Sequence, residues 1–205
     1  MEASIRHNDQ VDTPHAAGPL IPFALADGRQ LVIRPIHPDD WTRLMALHLR
    51  LSAETQRMRF FVRMRRLDAK FARRLSNVDF DRRAAFVACD PARGEIHAVA
   101  RYEWTAPGQA ELALVVEDPY QGYGLGTFML ERLAAHARDH GIIELTAQVL
   151  LENARMIALL RDSGYPHDTS VDGTVETFRL AIAPRSAPAD APRPGPLRPP
   201  LSAQG

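Results

Sequence analysis

The sequence predicts a mixed α/β fold class, in which helices flank a central and mostly antiparallel sheet. Three observations lead to this fold class. Short segments with two-residue apolar alternation recur along the chain and predict strands. Longer segments with apolar residues three and four positions apart predict helices. In the second half of the chain one such helix separates two strands, so these two strands are expected to run parallel.

Length and composition favour one domain with a disordered segment at each end. Of the 205 residues, 1–22 are polar and aperiodic and predict a disordered arm. Residues 184–205 are rich in proline and predict a disordered tail. The folded domain is therefore expected to span residues 23–183.

Charge and cysteine content narrow the partners and the compartment. Lys plus Arg and Asp plus Glu both number 25, so no net charge attracts nucleic acid or an acidic membrane. No apolar run approaches the roughly 18 residues that a membrane-spanning helix needs. The one cysteine, Cys89, lies in an apolar strand-like run and is interpreted as a core residue. A single cysteine excludes an internal disulfide and favours the reducing cytoplasm.

The elements follow from periodicity and from turn residues. The first half predicts a strand over 30–35, a helix carrying Leu44, Leu47 and Leu51, a short helical segment after Ser52, a helix near 68–77, and a hairpin of strands over 84–90 and 95–105. The second half predicts a strand over 111–116, a helix that ends at Gly141, a strand over 142–151, a helix from Asn153 to Gly164, and a last strand over 175–182.

A glycine-rich loop joins the strand over 111–116 to the next helix. Pro119 ends the strand, and Gly122, Gly124 and Gly126 come just before the helix. Glycines let backbone N–H groups approach a ligand, and a helix N-terminus carries roughly half a positive charge. This order of elements predicts an anion pocket. The structural alternative is a tight turn that only links strand to helix.

Two common phosphate-binding patterns do not fit this loop. The dinucleotide fingerprint needs glycine where Thr127 stands, and the P-loop needs a lysine where Gly126 stands. No Lys or Arg lies between Val115 and Glu131. A phosphate bound here would therefore be held by backbone amides and the helix dipole.

The pattern Q/R-x-x-G-x-G/A over residues 121–126 resembles the acyl-CoA pyrophosphate loop of the GNAT superfamily of N-acyltransferases. The order of elements over roughly 31–182 is similar to the GNAT acyl-CoA N-acyltransferase fold. Within that superfamily, segments 33–40, 51–55, 59–61, 78–81 and 85–88 resemble the acyltransferase domain of bacterial protein-lysine acetyltransferases.

The resemblance implies a coenzyme site. Backbone groups of Leu114, Val115 and Val116 would pair with the pantetheine arm, where the strand over 111–116 splays from its parallel neighbour. The pyrophosphate would lie on the amides of Gln121, Gly122, Tyr123, Gly124, Leu125, Gly126 and Thr127. Asn153 matches an asparagine that contacts the coenzyme, although it also fits an ordinary helix N-cap.

Glu111 matches the family's catalytic glutamate. An amine with a pKa of about 10.4 is almost fully protonated at pH 7 and cannot attack a thioester in that form. A carboxylate that accepts the proton typically accelerates such a step by roughly 10²–10⁴-fold. The alternatives are a solvated glutamate with no role, or Glu103 or Glu117 as the base. Many relatives carry a tyrosine acid where this chain has Leu160, so no general acid is carried over.

Two further patterns, a basic segment and a pair of histidines, have a structural interpretation beside a functional one. The basic residues from Arg57 to Arg74 predict a solvated surface whose arginines pair with nearby acids, with an acidic partner or the coenzyme's phosphate as the alternative. His136 and His140 have metal-ligand spacing but lack the other residues of a known zinc motif, so no metal site is predicted.

The sequence thus predicts an acetyl-CoA-dependent N-acetyltransferase that acts directly on a primary amine, with a protein lysine as acceptor. The alternatives are acetylation of a small-molecule amine and a non-catalytic acyl-CoA-binding regulatory module. The expected partners are acetyl-CoA and the amine acceptor, with no metal, nucleic acid or membrane. The chain is expected to be a cytoplasmic monomer or homodimer.

Overall fold

The computed structural model describes residues 19–62 and 64–183. They form one eight-stranded sheet with five α-helices around it. Residues 1–18 of the predicted arm, Arg63 of the basic segment and the predicted tail over 184–205 lie outside the described residues.

The sheet has the strand order β1-β2-β3-β4-β5-β6-β8-β7. Every neighbouring pair is antiparallel except β5 and β6, as the intervening helix predicted. The strands are β1 (Ile21–Ala24), β2 (Gln30–Pro35), β3 (Arg83–Cys89), β4 (Ile96–Ala106), β5 (Gln109–Val116), β6 (Glu144–Leu150), β7 (His167–Asp172) and β8 (Val175–Ala181).

The helices begin where the sequence supplies an N-cap or a glycine. Ser52 accepts a hydrogen bond from the Thr55 N–H, Asp68 one from the Phe71 N–H and Asn153 one from the Met156 N–H, so side chains cap three of them. The helices are α1 (Trp41–Arg50), α2 (Ala53–Phe60), α3 (Ala69–Ser76), α4 (Leu125–Asp139) and α5 (Ala154–Arg161). Two short 3₁₀ turns, Pro38–Asp40 and Asp118–Tyr120, lie before α1 and after β5.

The core lies on both faces of the sheet. On one face, α4 packs against β3, β4 and β5 and buries Met129, Leu133 and Ala137. On the other face, α1 and α3 pack together and α1 covers β4, while α2 lies against β5. Cys89 is buried, as its apolar surroundings predicted.

The parallel contact between β5 and β6 is short. Only three pairs join the two strands, the last being Glu111 with Thr146. Beyond Glu111, β5 continues with β4 as far as Val116, while β6 continues with β8 as far as Leu150. The sheet therefore opens into a wedge between Leu114–Val116 and the second half of β6, where the sequence placed it.

Two strands were missed by the sequence analysis. The strand β1 begins at Ile21, two residues inside the predicted arm, and pairs with β2. The strand β7 is exposed at all six positions and pairs with β8 alone. The other predicted strands are present, with ends within two residues of those expected. No described helix has both the length and the apolar character that crossing a bilayer would require.

Candidate active site

The glycine loop has the backbone geometry that only glycine adopts easily. Gly122 and Gly124 have φ angles of +84° and +78°, in the left-handed region. A Cβ atom at either position would meet no atom within 4 Å, so the glycines are needed for the chain's path and not for space. The loop turns directly into α4, whose N-cap is Gly124.

The N-terminus of α4 is left open for an anion. No side chain caps it, and the first backbone bond of the helix runs from the Phe128 N–H to the Gly124 carbonyl. The N–H groups of the first turn, at Leu125, Gly126 and Thr127, therefore lack helical acceptors. Together with the dipole of a 15-residue helix, they form the anion-binding end that the sequence predicted.

Gly126 serves a different purpose from the two loop glycines. Its backbone is helical, but a Cβ atom there would lie 2.7 Å from Leu159 Cδ1. The same atom would make ordinary contacts with Leu114 and Val116 of β5. The missing side chain thus lets α4 approach both α5 and the edge of β5.

A cavity of ≈ 640 Å³ lies in the wedge of the sheet. It is bounded by α2, the end of β5, the glycine loop and the start of α5. The residues that line it and were predicted to bind the coenzyme are Leu114, Val115, Val116, Gln121, Gly122, Gly124, Gly126, Thr127 and Asn153. This volume is in the range of small-molecule sites.

Three predicted residues do not line this cavity. Leu125 is 1% exposed and packs in the core, so only its backbone amide faces the loop. Tyr123 lies on the outer side of the loop, with the Arg29 guanidinium 5.3 Å from its ring centre. Glu111 lies on β5 below the cavity, three residues before Leu114.

Side chains from α2 and α5 complete the cavity wall, and sequence reasoning did not assign them. Met58 and Arg59 come from α2, and Arg155, Met156 and Leu159 come from α5. Arg155 donates a hydrogen bond to Gln121 Oε1, which brings a positive charge to a loop that has none of its own. The chain order gave no signal for Arg155. Arg59 belongs to the basic segment, for which contact with an acidic partner or with the coenzyme's phosphate was the alternative prediction.

Gln121 and Asn153 are both held by local hydrogen bonds. Gln121 Nε2 donates to the Val116 carbonyl at 2.9 Å, which fixes the loop to the end of β5. Asn153 Oδ1 accepts from the Met156 N–H at 3.2 Å, so the asparagine is the N-cap of α5. This bond uses Oδ1 and leaves the Nδ2 amide to donate toward the cavity that Asn153 lines.

Glu111 is exposed and stands at the closed end of the wedge. Its neighbours across the strands are Glu103 on β4 and Thr146 on β6. Glu103 forms an ion pair with Arg74 at 3.2 Å, whereas Glu111 forms none with the residues that the structure describes. Of this pair, Glu111 is therefore the carboxylate without an ion-pair partner among the described residues.

Glu117, the other candidate base, is committed to the structure. It is 6% exposed, and both of its oxygens accept hydrogen bonds from Arg50 at 2.8 and 3.1 Å. His97 Nδ1 lies 2.7 Å from Oε2. Burial raises the pKa of Glu117, but the bonds from Arg50 and His97 outweigh it and hold the pKa below its usual value. A carboxylate held this way is a poor proton acceptor.

No tyrosine replaces the general acid that is missing at Leu160. Leu160 is fully buried in the core. Of the four tyrosines in the sequence, all lie in the described part of the chain and none lines the cavity. Tyr165 is turned away, donating to Glu131 at 2.7 Å and accepting from Arg138 at 3.1 Å.

The basic segment agrees with the predicted pairing at two of its described residues. Arg57 forms an ion pair with Glu152, Arg74 pairs with Glu103, and Arg73 lies 3.9 Å from the centre of the Trp41 ring.

Among the described residues, His136 does not lie in any group of three or more His, Cys, Asp or Glu side chains that could hold a metal ion. It packs between α4 and the sheet, where its Nδ1 lies 3.1 Å from the Tyr102 hydroxyl.

Comparisons with known proteins agree with this geometry. A family model described as the acetyltransferase (GNAT) domain matches residues 30–166. Acetyltransferase PA5475 of Pseudomonas aeruginosa is 29% identical over 163 residues, which are 78% of this chain and 88% of that protein. Acetyltransferase Pat of Mycolicibacterium smegmatis is 31% identical over 138 residues, 66% of this chain but 41% of that protein.

A solved structure gives the same result for the fold. The crystal structure of the GNAT domain of S. lividans PAT aligns with a TM-score of 0.72 and 33% identity. The alignment covers 79% of this chain and 96% of that domain. With the wedge, the open helix N-terminus and the cavity between them, these matches show that the chain belongs to the GNAT acetyltransferase family and is an acyltransferase.

Proposed function

We propose that this acyltransferase moves an acetyl group from acetyl-CoA directly to a protein lysine side chain, with Glu111 as the base. The observation that carries the proposal is the register of the sheet. It ends the β5–β6 ladder at Glu111 and so places an exposed carboxylate at the closed end of the wedge. The cavity above it has the residues that an acyl-CoA would need.

The donor half of the proposal rests on backbone groups. The open first turn of α4 and the two left-handed glycines offer N–H groups to a pyrophosphate, and Arg155 adds a positive side chain. The edge of β5 at Leu114–Val116 has no partner strand on the side of β6, so its backbone can pair with the amides of pantetheine.

The chemistry follows from the charges around Glu111. A lysine ammonium that enters the wedge is attracted by this carboxylate and transfers its proton to it, directly or through a water. The neutral amine then attacks the thioester carbon to form a tetrahedral intermediate. As the intermediate collapses, the C–S bond breaks and the thiolate leaves, and the second proton of the attacking nitrogen passes to the solvent, which protonates the released thiolate. A thiol has a pKa of about 8.5, so its thiolate leaves without a tyrosine acid.

A lysine on a protein fits the exposure of the base. Because Glu111 is exposed, a long side chain from another molecule can reach it without a closed pocket for the acceptor. The sequence segments that resemble bacterial protein-lysine acetyltransferases, and the similarity to the proteins named Pat and PAT, favour the same acceptor. We place the reaction in the cytoplasm, which suits a chain with one cysteine.

The test compares Glu111→Gln with Glu103→Gln, a matched change on the opposite strand. Calorimetry should show nearly unchanged acetyl-CoA binding for both variants. With lysine proteins as acceptors, Glu111→Gln should lose roughly 10²–10⁴-fold in kcat, and Glu103→Gln less than about threefold. Unchanged turnover by Glu111→Gln would remove it from the mechanism.

The acceptor is tested separately with the wild-type enzyme. Candidate proteins and a panel of small amines, including polyamines and aminoglycosides, are incubated with acetyl-CoA and analysed by mass spectrometry. Acetylated lysines on proteins support the proposal. Turnover of a small amine alone would assign a small-molecule acceptor, and binding without any turnover would assign a non-catalytic acyl-CoA-binding module.

A further inference from the structure

Two arginines beside the wedge lack the ion-pair partners that several other arginines of the described chain have. Arg59 lines the cavity at the end of α2, with its guanidinium 4.9 Å from the centre of the Phe60 ring. Arg101 on β4 is 7% exposed, and its one hydrogen bond goes to the Leu75 carbonyl at 3.3 Å. Within residues 19–62 and 64–183, no carboxylate forms an ion pair with either.

The strand register places Arg101 and Glu111 on the same face of the sheet. Arg101 is paired with Ala113, two residues from Glu111, so both side chains point toward the side where α2 and α3 lie. The residue opposite Arg101 on β3 is Ala85. Both residues beside Arg101 on the neighbouring strands are therefore alanines, which have no polar side-chain atom to bond its guanidinium.

The charges of this pair act on each other and on Glu111. Burial, together with the nearby Arg101 and against the attraction of Glu111, lowers the pKa of Arg59 to about 10. Burial also lowers the pKa of Arg101 to about 10, against the attraction of Glu103. Both arginines thus lie within electrostatic reach of the wedge and in a poorly hydrated environment.

A buried cation without a partner is costly, and two other arginines close to the core are paired. Arg34 donates two hydrogen bonds to the fully buried Asp40, and Arg50 donates two to Glu117. Such bonds offset the loss of hydration. Glu111 lies near Arg59 and Glu103 near Arg101, but within the described chain no carboxylate comes within ion-pair distance of either arginine. The cavity that Arg59 lines is where a ligand anion can enter.

We propose that Arg59 and Arg101 form a carboxylate-binding subsite beside Glu111, which selects a substrate carrying a carboxylate next to the reacting centre. This inference rests on the proposed function and defines its substrate more closely. A planar guanidinium binds a carboxylate through two parallel hydrogen bonds, which are strong where water is excluded. The carboxylate can belong to the acyl group of a dicarboxylic thioester or to an acidic residue beside the acceptor lysine.

The experiment has one arm for each source of the carboxylate. In the donor arm, succinyl-CoA is compared with butyryl-CoA, a neutral thioester of the same chain length, on one lysine peptide. In the acceptor arm, acetyl-CoA is used with peptides that carry Glu or Gln beside the lysine. The full chain is assayed as wild type, Arg59→Gln and Arg101→Met. Arg66→Gln, an exposed member of the basic segment outside the cavity, is the control for charge.

In at least one of the two arms, the wild type should prefer the substrate that carries the carboxylate by about tenfold or more in kcat/KM, which is the effect of a charge-assisted hydrogen bond. Arg59→Gln should bring the ratio close to one, chiefly by lowering kcat/KM for the charged substrate, and Arg66→Gln should keep it. Methionine is the replacement for Arg101 because this side chain is buried. Arg101→Met should reduce the ratio of kcat/KM between charged and neutral substrates in the same arm. A ratio near one in both arms of the wild type, or equal losses on charged and neutral substrates, would overturn the proposal.

Binding measurements separate this inference from the proposed function. Calorimetry compares succinyl-CoA with butyryl-CoA, and the Glu peptide with the Gln peptide, on wild type and Arg59→Gln. A preference that depends on Arg59 without turnover of any amine would keep the subsite and reject the transferase function. Normal acetylation of neutral peptides, with no such preference in binding or kcat/KM, would reject the subsite and keep the transferase.

Discussion

Replacing Gly126 with alanine tests how α4 approaches the coenzyme cavity. A Cβ atom there would lie 2.7 Å from Leu159 Cδ1, whereas ordinary contacts of this kind begin at 3.4 Å. The leucine methyl must therefore move by at least about 0.7 Å, the difference between these two distances. Since Leu159 lines the cavity, the direction open to it is into the space for acyl-CoA.

Two terms of opposite sign set the expected change in stability. Alanine in place of glycine in a helix stabilises by about 1 kcal/mol. Overpacking at a close contact costs about 1–3 kcal/mol. Gly126→Ala should therefore lower the free energy of unfolding by about 0–2 kcal/mol, and acetyl-CoA should bind about tenfold more weakly because Leu159 takes up part of its site.

A double-mutant cycle with Leu159→Ala isolates the contact. In the Leu159→Ala background the colliding methyl is gone, so the same glycine change should stabilise the fold by about 1 kcal/mol. Urea denaturation measures the four free energies, and calorimetry measures acetyl-CoA binding. If Gly126→Ala has the same effect on stability in both backgrounds, the collision with Leu159 is not what requires glycine at this position.

Three further predictions concern the groups around the site. Glu117→Gln should cost about 3 kcal/mol at pH 7. The folded-state pKa of Glu117 is depressed, so its contribution to stability is present above the unfolded pKa of about 4.3 and is lost as the pH falls through the folded pKa. The difference in unfolding free energy from wild type, measured by urea denaturation, should therefore shrink below about pH 4. A constant difference down to pH 3 would contradict this. Asp118→Ala removes the acceptor of 2.7 Å hydrogen bonds from the Ser52 and Thr55 hydroxyls, so α2 and the glycine loop lose their connection. The KM for acetyl-CoA should rise several-fold with little change in kcat, and an unchanged KM would count against that role. Burial raises the pKa of Cys89 to about 11. A thiol reagent at pH 8 should therefore label the native protein only slowly and the urea-unfolded protein fully. Fast labelling of the native protein would show that the strand opens.

The parts of the fold that the sequence predicted are those with a strong local pattern. The strand β2 is present as predicted because alternation and Pro35 mark both its face and its end. The strand β7 was missed because all its residues are exposed, so no apolar alternation distinguishes it from a loop. The strand β1 was missed because it is four residues long and contains Pro22, which reads as a break.

For the site, the residues that could be predicted from the sequence are adjacent in the chain. The loop of glycines and the end of β5 could be assigned because strand, loop and helix follow one another directly. Met58 and Leu159 could not be expected beside each other in one cavity from the sequence alone, since about 100 residues separate them. The choice between Glu111 and Glu117 also needed the structure, because Arg50, the partner of Glu117, lies 67 positions away.

The three-pair ladder between β5 and β6 divides the sheet into two plates, one of five strands and one of three, each with its own continuous hydrogen bonding. A molecule that forms hydrogen bonds with both plates stabilises their arrangement in the folded domain. The domain's resistance to heat should then depend on how much of that molecule is present, by the logarithm of its concentration over its dissociation constant. The melting temperature is thus a direct readout of occupancy of the wedge, before any acceptor is known.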